Sequence, residues 1–213
     1  GEYHGALGFP KLRQSEMARA LAGVEDKFLP QNWDADVSKL RKIFSRHFIF
    51  PKNFKAELRS YQEEGFQWLS RMAEWGAGAC LADDMGLGKT VQALAVLSAR
   101  AHLGPSLVVA PTSVCGNWQE EVQRFAPMLK VQIYDSTFAE SAMESLDEND
   151  LLVCSYTMLQ RDVELISKRQ WNGIVLDEAQ AIKNPQSGRS KAARSLESKF
   201  KIATTGTPVE NHP

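Results

Sequence analysis

Two short stretches carry residue types suited to phosphate chemistry: "GLGKT" (86–90) and "IVLDEAQ" (174–180). A Gly-Lys-Thr ending between a strand and a helix turns backbone amides and the positive helix N-terminus toward one point, which suits a polyanion. There Lys89 would reach the β- and γ-phosphates of a nucleotide, and the Thr90 hydroxyl would ligate Mg²⁺. Gly86 and Gly88 permit backbone shapes that side chains obstruct. The phosphate-loop template is G-x-x-x-x-G-K-[ST], and Asp83 stands where its first Gly belongs, so the match is incomplete. The alternative is a glycine turn with an incidental lysine.

The second stretch supplies the acids. Three aliphatic residues lead into Asp177 and Glu178, so the carboxylates would emerge at the C-terminal end of a buried strand, the edge where open α/β sheets bind ligands. Asp177 would help hold Mg²⁺, directly or through water, and Glu178 would orient and deprotonate the attacking water. The alternative is two solvated acids at a strand end. Taken together, the two stretches predict a nucleotide–Mg²⁺ site built on Lys89, Thr90, Asp177 and Glu178. Asp83 and Asp84 would not face the phosphates but accept hydrogen bonds from loop amides or meet a partner surface. Asp84→Ala should then spare nucleotide affinity more than Lys89→Ala does.

These residues must be positioned by an alternating fold. Apolar runs at 78–82, 106–110, 130–135, 150–156, 173–179 and 201–206 read as strands, and their continuous Val/Ile/Leu character suits a parallel sheet covered on both faces. Between them, Leu58, Phe66, Leu69 and Met72 line a helix that stops near Gly76. Another starts at Thr90 and stops at "GP" (104–105), and Val114, Trp118, Val122 and Phe125 line a third, ended by Pro127. Trp118 falls on that apolar stripe, which favours core packing over base stacking. The acidic segment 139–150 reads as an exposed helix or loop. Such alternation predicts an α/β lobe with helices on both faces of a mainly parallel sheet. Residues 1–50 differ: Met17, Leu21, Val24 and Phe28, then Trp33, Val37, Leu40, Phe44 and Phe48, recur at helical spacing on either side of Pro30. They read as a small helical segment of illegible function.

Composition narrows the class. With 25 basic and 26 acidic residues, net charge argues neither for nor against nucleic acid, so any basic surface must be local. Residues 183–201 supply one candidate, with Lys183, Arg189, Lys191, Arg194, Lys199 and Lys201 against Glu197 alone; a solvated helix face is the competing reading. Cys80, Cys115 and Cys154 form no disulfide framework or zinc pattern, and neither do His4, His47, His102 and His212. A reducing compartment fits best, and neither a membrane span nor a signal-peptide layout is present. The chain starts without Met and stops at Pro213, as an excised piece would.

With these residues in hand, the sequence resembles the SWI/SNF-type ATPases, the remodelling branch of helicase superfamily two. "LRSYQEEGFQWL" (58–69), "LADDMGLGKT" (81–90), "LVVAPTSVCGNWQEE" (107–121), "SYTML" (155–159), "DEAQAIKN" (177–184) and "TTGTPVEN" (204–211) follow in the family's order over about residues 54–213. The resemblance implies a RecA-like P-loop lobe in which Gln62 contacts adenine and Thr205, Gly206 and Thr207 couple nucleotide state to lobe motion. Gln180, where other members carry His, leans toward a prokaryotic member, cytoplasmic and nucleoid-associated; a eukaryotic one would be nuclear. DEAD-box RNA helicases fit worse, having Asp in that position and "SAT" for "TGT".

Such enzymes translocate on double-stranded DNA by closing two lobes around ATP without separating strands. The implied second lobe, with its arginine finger, would lie beyond Pro213, so this lobe alone should bind ATP–Mg²⁺ weakly and hydrolyse it poorly. The resemblance places Thr112, Ser113, Ser155 and Tyr156 on the DNA track, where the first two, between a strand end and a helix N-terminus, suit a backbone phosphate. Lys183 and Lys191 of the basic stretch are further candidates. A strand-separating helicase lobe and a non-catalytic P-loop interaction scaffold are the alternatives; the intact Lys89, Thr90, Asp177 and Glu178 argue against the scaffold. The remodelled or displaced protein is not legible.

Overall fold

A computed structural model describes residues 33–82 and 88–206. The helical pattern at 17–28, the loop residues Asp83 to Leu87, and Thr207 onward lie outside the described residues.

Six parallel strands form one sheet in the order β1-β6-β5-β2-β4-β3. They are β1 (Ala79–Ala82), β2 (Ser106–Ala110), β3 (Lys130–Ile133), β4 (Asp150–Ser155), β5 (Gly173–Leu176) and β6 (Lys201–Thr205). The helices are α1 (Trp33–Ser45), α2 (Ser60–Trp75), α3 (Lys89–Ala99), α4 (Cys115–Phe125), α5 (Ala139–Ser145), α6 (Tyr156–Arg161), α7 (Val163–Ile166) and α8 (Gly188–Ser195). The expected mainly parallel, doubly covered sheet is what forms.

Strand side chains alternate between two cores, as a pleated strand covered on both faces requires. Leu81, Val108, Val153, Val175 and Ile202 pack on one face with Phe66 and Leu69 of α2, Leu94 and Leu97 of α3, and Trp118 and Val122 of α4. Leu107, Val109, Leu152, Cys154 and Ile174 pack on the other with Met143 of α5, Leu159 of α6, Ile166 of α7 and Ala192 and Ala193 of α8. Helix α3 is buried from Gln92 to Ser98, so it is apolar on nearly every side. It lies close against α2: a Cβ on Gly65 would meet the Gln92 side-chain oxygen at 1.9 Å.

The segment after α1 is tied to the lobe by a reciprocal pair. The Phe48 amide donates to Gln67 Oε1 and Gln67 Nε2 donates to the Phe48 carbonyl, each at 2.8 Å. Phe50 then packs edge-on against Phe54 and Phe66.

Several expected boundaries move. The strand expected over 150–156 ends at Ser155, whose hydroxyl accepts from the Met158 amide at 3.1 Å and starts α6 at Tyr156. The strand expected over 173–179 ends at Leu176, because Glu178 takes a left-handed conformation (φ 48°) and begins a tight turn over Ala179–Ile182. The helix expected from Thr90 to 103 runs over Lys89–Ala99, then a tighter turn covers Ala101–Leu103. Within segment 139–150 only Ala139–Ser145 is helical, and it buries Met143, so the segment is not exposed throughout.

Candidate active site

The strand order explains how residues far apart in sequence meet. β1, β6 and β5 are neighbours, and their C-terminal ends lead into the glycine loop, the 204–206 segment and the acid pair. Leu176 pairs with Ala203, so Asp177 falls opposite Thr204 and on the same face as Val175, the face covered by α3 and α4.

Gly88, Lys89, Thr90, Asp177 and Glu178 all line one cleft of about 450 Å³, walled by Trp118 and Glu121 of α4. The structure thus brings the lysine and the two carboxylates to one cleft. A larger hollow of about 610 Å³ lies elsewhere, between Thr137, Glu140 and Asp162; Arg161 and Asp162, which pair with each other, both line it, and none of Gly88, Lys89, Thr90, Asp177 and Glu178 does.

Gly88 caps α3 with φ 78°, where a side chain is strained, and a Cβ there would lie 2.3 Å from Gln62 Nε2. Gln62, whose Oε1 accepts from the Arg59 amide at 2.9 Å in the first turn of α2, is thus held against the phosphate loop.

Asp177 is 8% exposed and closely surrounded. Its Oδ2 accepts from Trp118 Nε1 at 2.7 Å. Its Oδ1 accepts from the Glu178 amide at 3.0 Å and from the Thr204 hydroxyl. Its own amide donates to the Val109 carbonyl, and its carbonyl accepts from the Tyr156 hydroxyl, each at 2.8 Å. The negative charge of Asp177 is felt around it. Burial, then Asp177, push the Glu121 carboxyl above its ordinary range and the Tyr156 phenol upward; burial chiefly, with Asp177 adding, raises Cys115.

Glu178 is held differently. Its Oε2 accepts from Gln180 Nε2, and Gln180 Oε1 accepts from the Thr205 hydroxyl at 2.9 Å. Both threonines of the 204–206 segment therefore bond to the acid box, one through Asp177 and one through Gln180.

The donor set suits Mg²⁺. A carboxylate offers about four lone-pair directions, and three donors occupy three of those on Asp177, leaving one on Oδ2 among the described residues. Among the described residues no group of three or more His, Cys, Asp or Glu could hold a metal by itself. One carboxylate and one hydroxyl completed by phosphates and water is how Mg²⁺, rather than zinc, is held.

The expected nucleic-acid residues divide. Thr112 and Ser113 are exposed on the turn after β2, at the same strand edge as the cleft. Lys183 and Lys191 are exposed. Tyr156 is 2% exposed with its hydroxyl bonded to the Asp177 carbonyl, which corrects its expected contact with DNA: it braces the acid strand. Ser155 is buried too, and its hydroxyl caps α6. The basic stretch is also split. Lys183 follows the C-terminal end of β5, but Lys199 and Lys201 lie at the start of β6, the opposite edge of the sheet. Burial pushes the Lys201 amine below its usual range. Trp118, Gln180 and Glu121 were not among the expected site residues. The one hint was that a buried indole N–H needs an acceptor.

A model of the SNF2-related domain matches residues 61–213, well over half of the chain. A Bacillus subtilis protein named as an ATP-dependent helicase/translocase, YwqA, is 44% identical over 78% of this chain and 18% of its own length. The chromatin-remodeling ATPase INO80 of Sclerotinia sclerotiorum is 39% identical over 76% of this chain and 10% of its own. The Sulfolobus solfataricus SWI2/SNF2 ATPase core in complex with double-stranded DNA matches with a TM-score of 0.70 and 45% identity, over 78% of this chain and 35% of that one. The chain thus spans less than a fifth of these curated relatives and about a third of the solved core.

Proposed function

The chain belongs to the SNF2-related domain family, and from that premise we propose that it is the nucleotide-binding lobe of an ATP-dependent translocase acting on double-stranded DNA. The observation that carries the reading is the shared cleft of Lys89, Thr90, Asp177 and Glu178. Lys89 and the amides at the start of α3 take the β- and γ-phosphates, and Gln62, against Gly88, takes the adenine side. Thr90 and the open position on Asp177 would hold Mg²⁺, which when bound neutralises phosphate charge. Glu178, oriented by Gln180, positions the attacking water and accepts its proton. The Thr205–Gln180–Glu178 chain gives 205–207 a path to report nucleotide state. Asp83, Asp84, Met85, Gly86 and Leu87 complete the phosphate loop.

Thr112, Ser113, Lys183 and Lys191 meet DNA phosphates without reading sequence. The likeness to the Sulfolobus core, a structure in complex with double-stranded DNA, supports that partner. A second RecA-like lobe supplies an arginine finger, worth about 10³–10⁵ in rate in comparable enzymes, so this lobe alone turns over near background.

The test is titration of a fluorescent ATP analogue with Mg²⁺ into the wild type and Lys89→Ala. Loss of one charge-assisted contact set should weaken binding roughly ten- to hundred-fold. Equal affinity in the two proteins would end the nucleotide-site reading. For the complete enzyme, DNA-stimulated ATP hydrolysis without strand displacement is expected, and efficient strand separation would replace the translocase with a helicase.

A further inference from the structure

We propose that Trp118 is a positioning residue for the metal-binding carboxylate: its indole N–H fixes Asp177 so that the remaining Oδ2 direction faces the cleft. The proposal rests on the nucleotide-site reading above and assigns a role to a residue outside the acid box. Trp118 is 1% exposed in the core between α4 and the sheet, and packing alone would account for an aromatic ring there. Packing does not account for where its one polar atom points. Nε1 lies 2.7 Å from Oδ2, in the short range of charge-assisted hydrogen bonds.

The other donors cannot substitute for it. The Glu178 amide and the Thr204 hydroxyl both reach Oδ1, and both come from residues at the strand ends, one of them adjacent in sequence. They hold Oδ1 and already restrain rotation about the Cβ–Cγ bond, but neither of them touches Oδ2. Trp118, reaching from a separate helix, supplies the restraint on Oδ2 and takes one of its two lone-pair directions, which leaves the other for the cleft that Asp177 lines. Val122 and Phe125, also on the α4 stripe, lack a polar side-chain atom, so only position 118 can do this from that stripe. Partners that orient a metal-binding group in this way typically change metal affinity 10–100-fold when removed.

The experiment measures nucleotide affinity as a function of Mg²⁺ concentration, and in EDTA, for the wild type and for Trp118→Phe, which keeps an aromatic ring and loses the N–H. A protein with benzothienylalanine at position 118 fills the volume of the indole without its donor and serves where Trp118→Phe does not fold. The Mg²⁺ concentration for half-maximal tight binding should rise about ten-fold or more, while affinity in EDTA stays within two-fold or so of wild type. In an Asp177→Asn background the change at 118 should add little, since coupled residues are not additive. A purely structural tryptophan would instead lower both affinities together, and that result overturns the proposal. An unchanged Mg²⁺ requirement in both 118 variants overturns it as well. If Asp177→Asn itself leaves the Mg²⁺ requirement unchanged, the failure belongs to the nucleotide-site reading and not to Trp118 alone.

Discussion

The acid pair after Leu176 and the basic residues that begin at Lys183 are close neighbours in sequence, yet the fold treats them in opposite ways. Asp177 is enclosed by three donors from three places in the chain, and its backbone is bonded on both sides. Lys183 and Lys191 are exposed, Arg189 rests on the Thr157 hydroxyl and Arg194 on the Pro185 carbonyl, and the stretch is divided between two edges of the sheet. A buried charge is tolerated only when it is hydrogen-bonded, so it comes with a fixed geometry. Exposed charges keep their hydration and their freedom, which suits contact with a uniform phosphate backbone.

The contrast is broken most directly by truncation. Asp177→Ala leaves the Trp118 N–H, the Thr204 hydroxyl and the Glu178 amide without their acceptor, at about 1–3 kcal/mol for each buried group left unpaired. Their shared location makes the sum less than additive, so a loss of roughly 3 kcal/mol is expected in urea unfolding. Lys191→Ala should stay within about 0.5 kcal/mol of wild type. Comparable losses for the two would mean that the carboxylate is not the organising group of its region.

A smaller effect sharpens the comparison at the other rim of the cleft. Gly88→Ala places a Cβ against Gln62 Nε2 at a positive φ, and the backbone term alone costs about 1–2 kcal/mol. Gln62→Ala in the same protein should relieve the contact but not the backbone term. Full rescue by the second change, read by thermal unfolding, would show that side-chain crowding rather than φ restricts this position.

How much of this was legible in the sequence follows the same division. The strands and the main helices could be read because Val108, Val153 and Val175 sit in continuous apolar runs and Phe66, Leu69, Val122 and Phe125 recur at helical spacing. The joint cleft could be read because a Gly-Lys-Thr loop and an acid pair each follow an apolar strand. The supports of Asp177 could not. Trp118 is 59 residues away, and its link depends on which helix covers which face. Thr204 meets Asp177 only once β5 and β6 are paired in their observed register. Tyr156 read as the end of a strand because Ser155 acts as a helix cap only when its hydroxyl meets the Met158 amide. The division of the basic stretch was hidden for a related reason: sequence proximity does not show that α8 carries the chain back across the sheet.

On the exposed side, Lys191→Glu should weaken DNA binding for all sequences alike and reduce the slope of log affinity against log salt by about one, with stability unchanged. A loss confined to some sequences would move Lys191 from backbone contact to base reading.

The smallest expected effect returns to the cleft wall. Glu121 lines the cleft beside Asp177, and burial together with that neighbouring charge raises its carboxyl above the ordinary glutamate value, while Arg124 partly offsets them. A carboxyl whose folded pKa is raised contributes stability that is complete below its unfolded value, about 4.3, and is lost as pH rises through the folded value. Glu121→Gln removes that titration. The variant should therefore match wild type near pH 4, then become the more thermostable of the two as pH rises, with the gap levelling off once the wild-type carboxyl is fully ionised. Lys191→Gln, at an exposed position outside the cleft, should show no such pH-dependent gap over the same range. A Glu121→Gln gap that narrows toward neutral pH would mean that the ionised carboxylate is stabilised by its surroundings, and that this wall of the cleft is favourable to negative charge instead of strained by it.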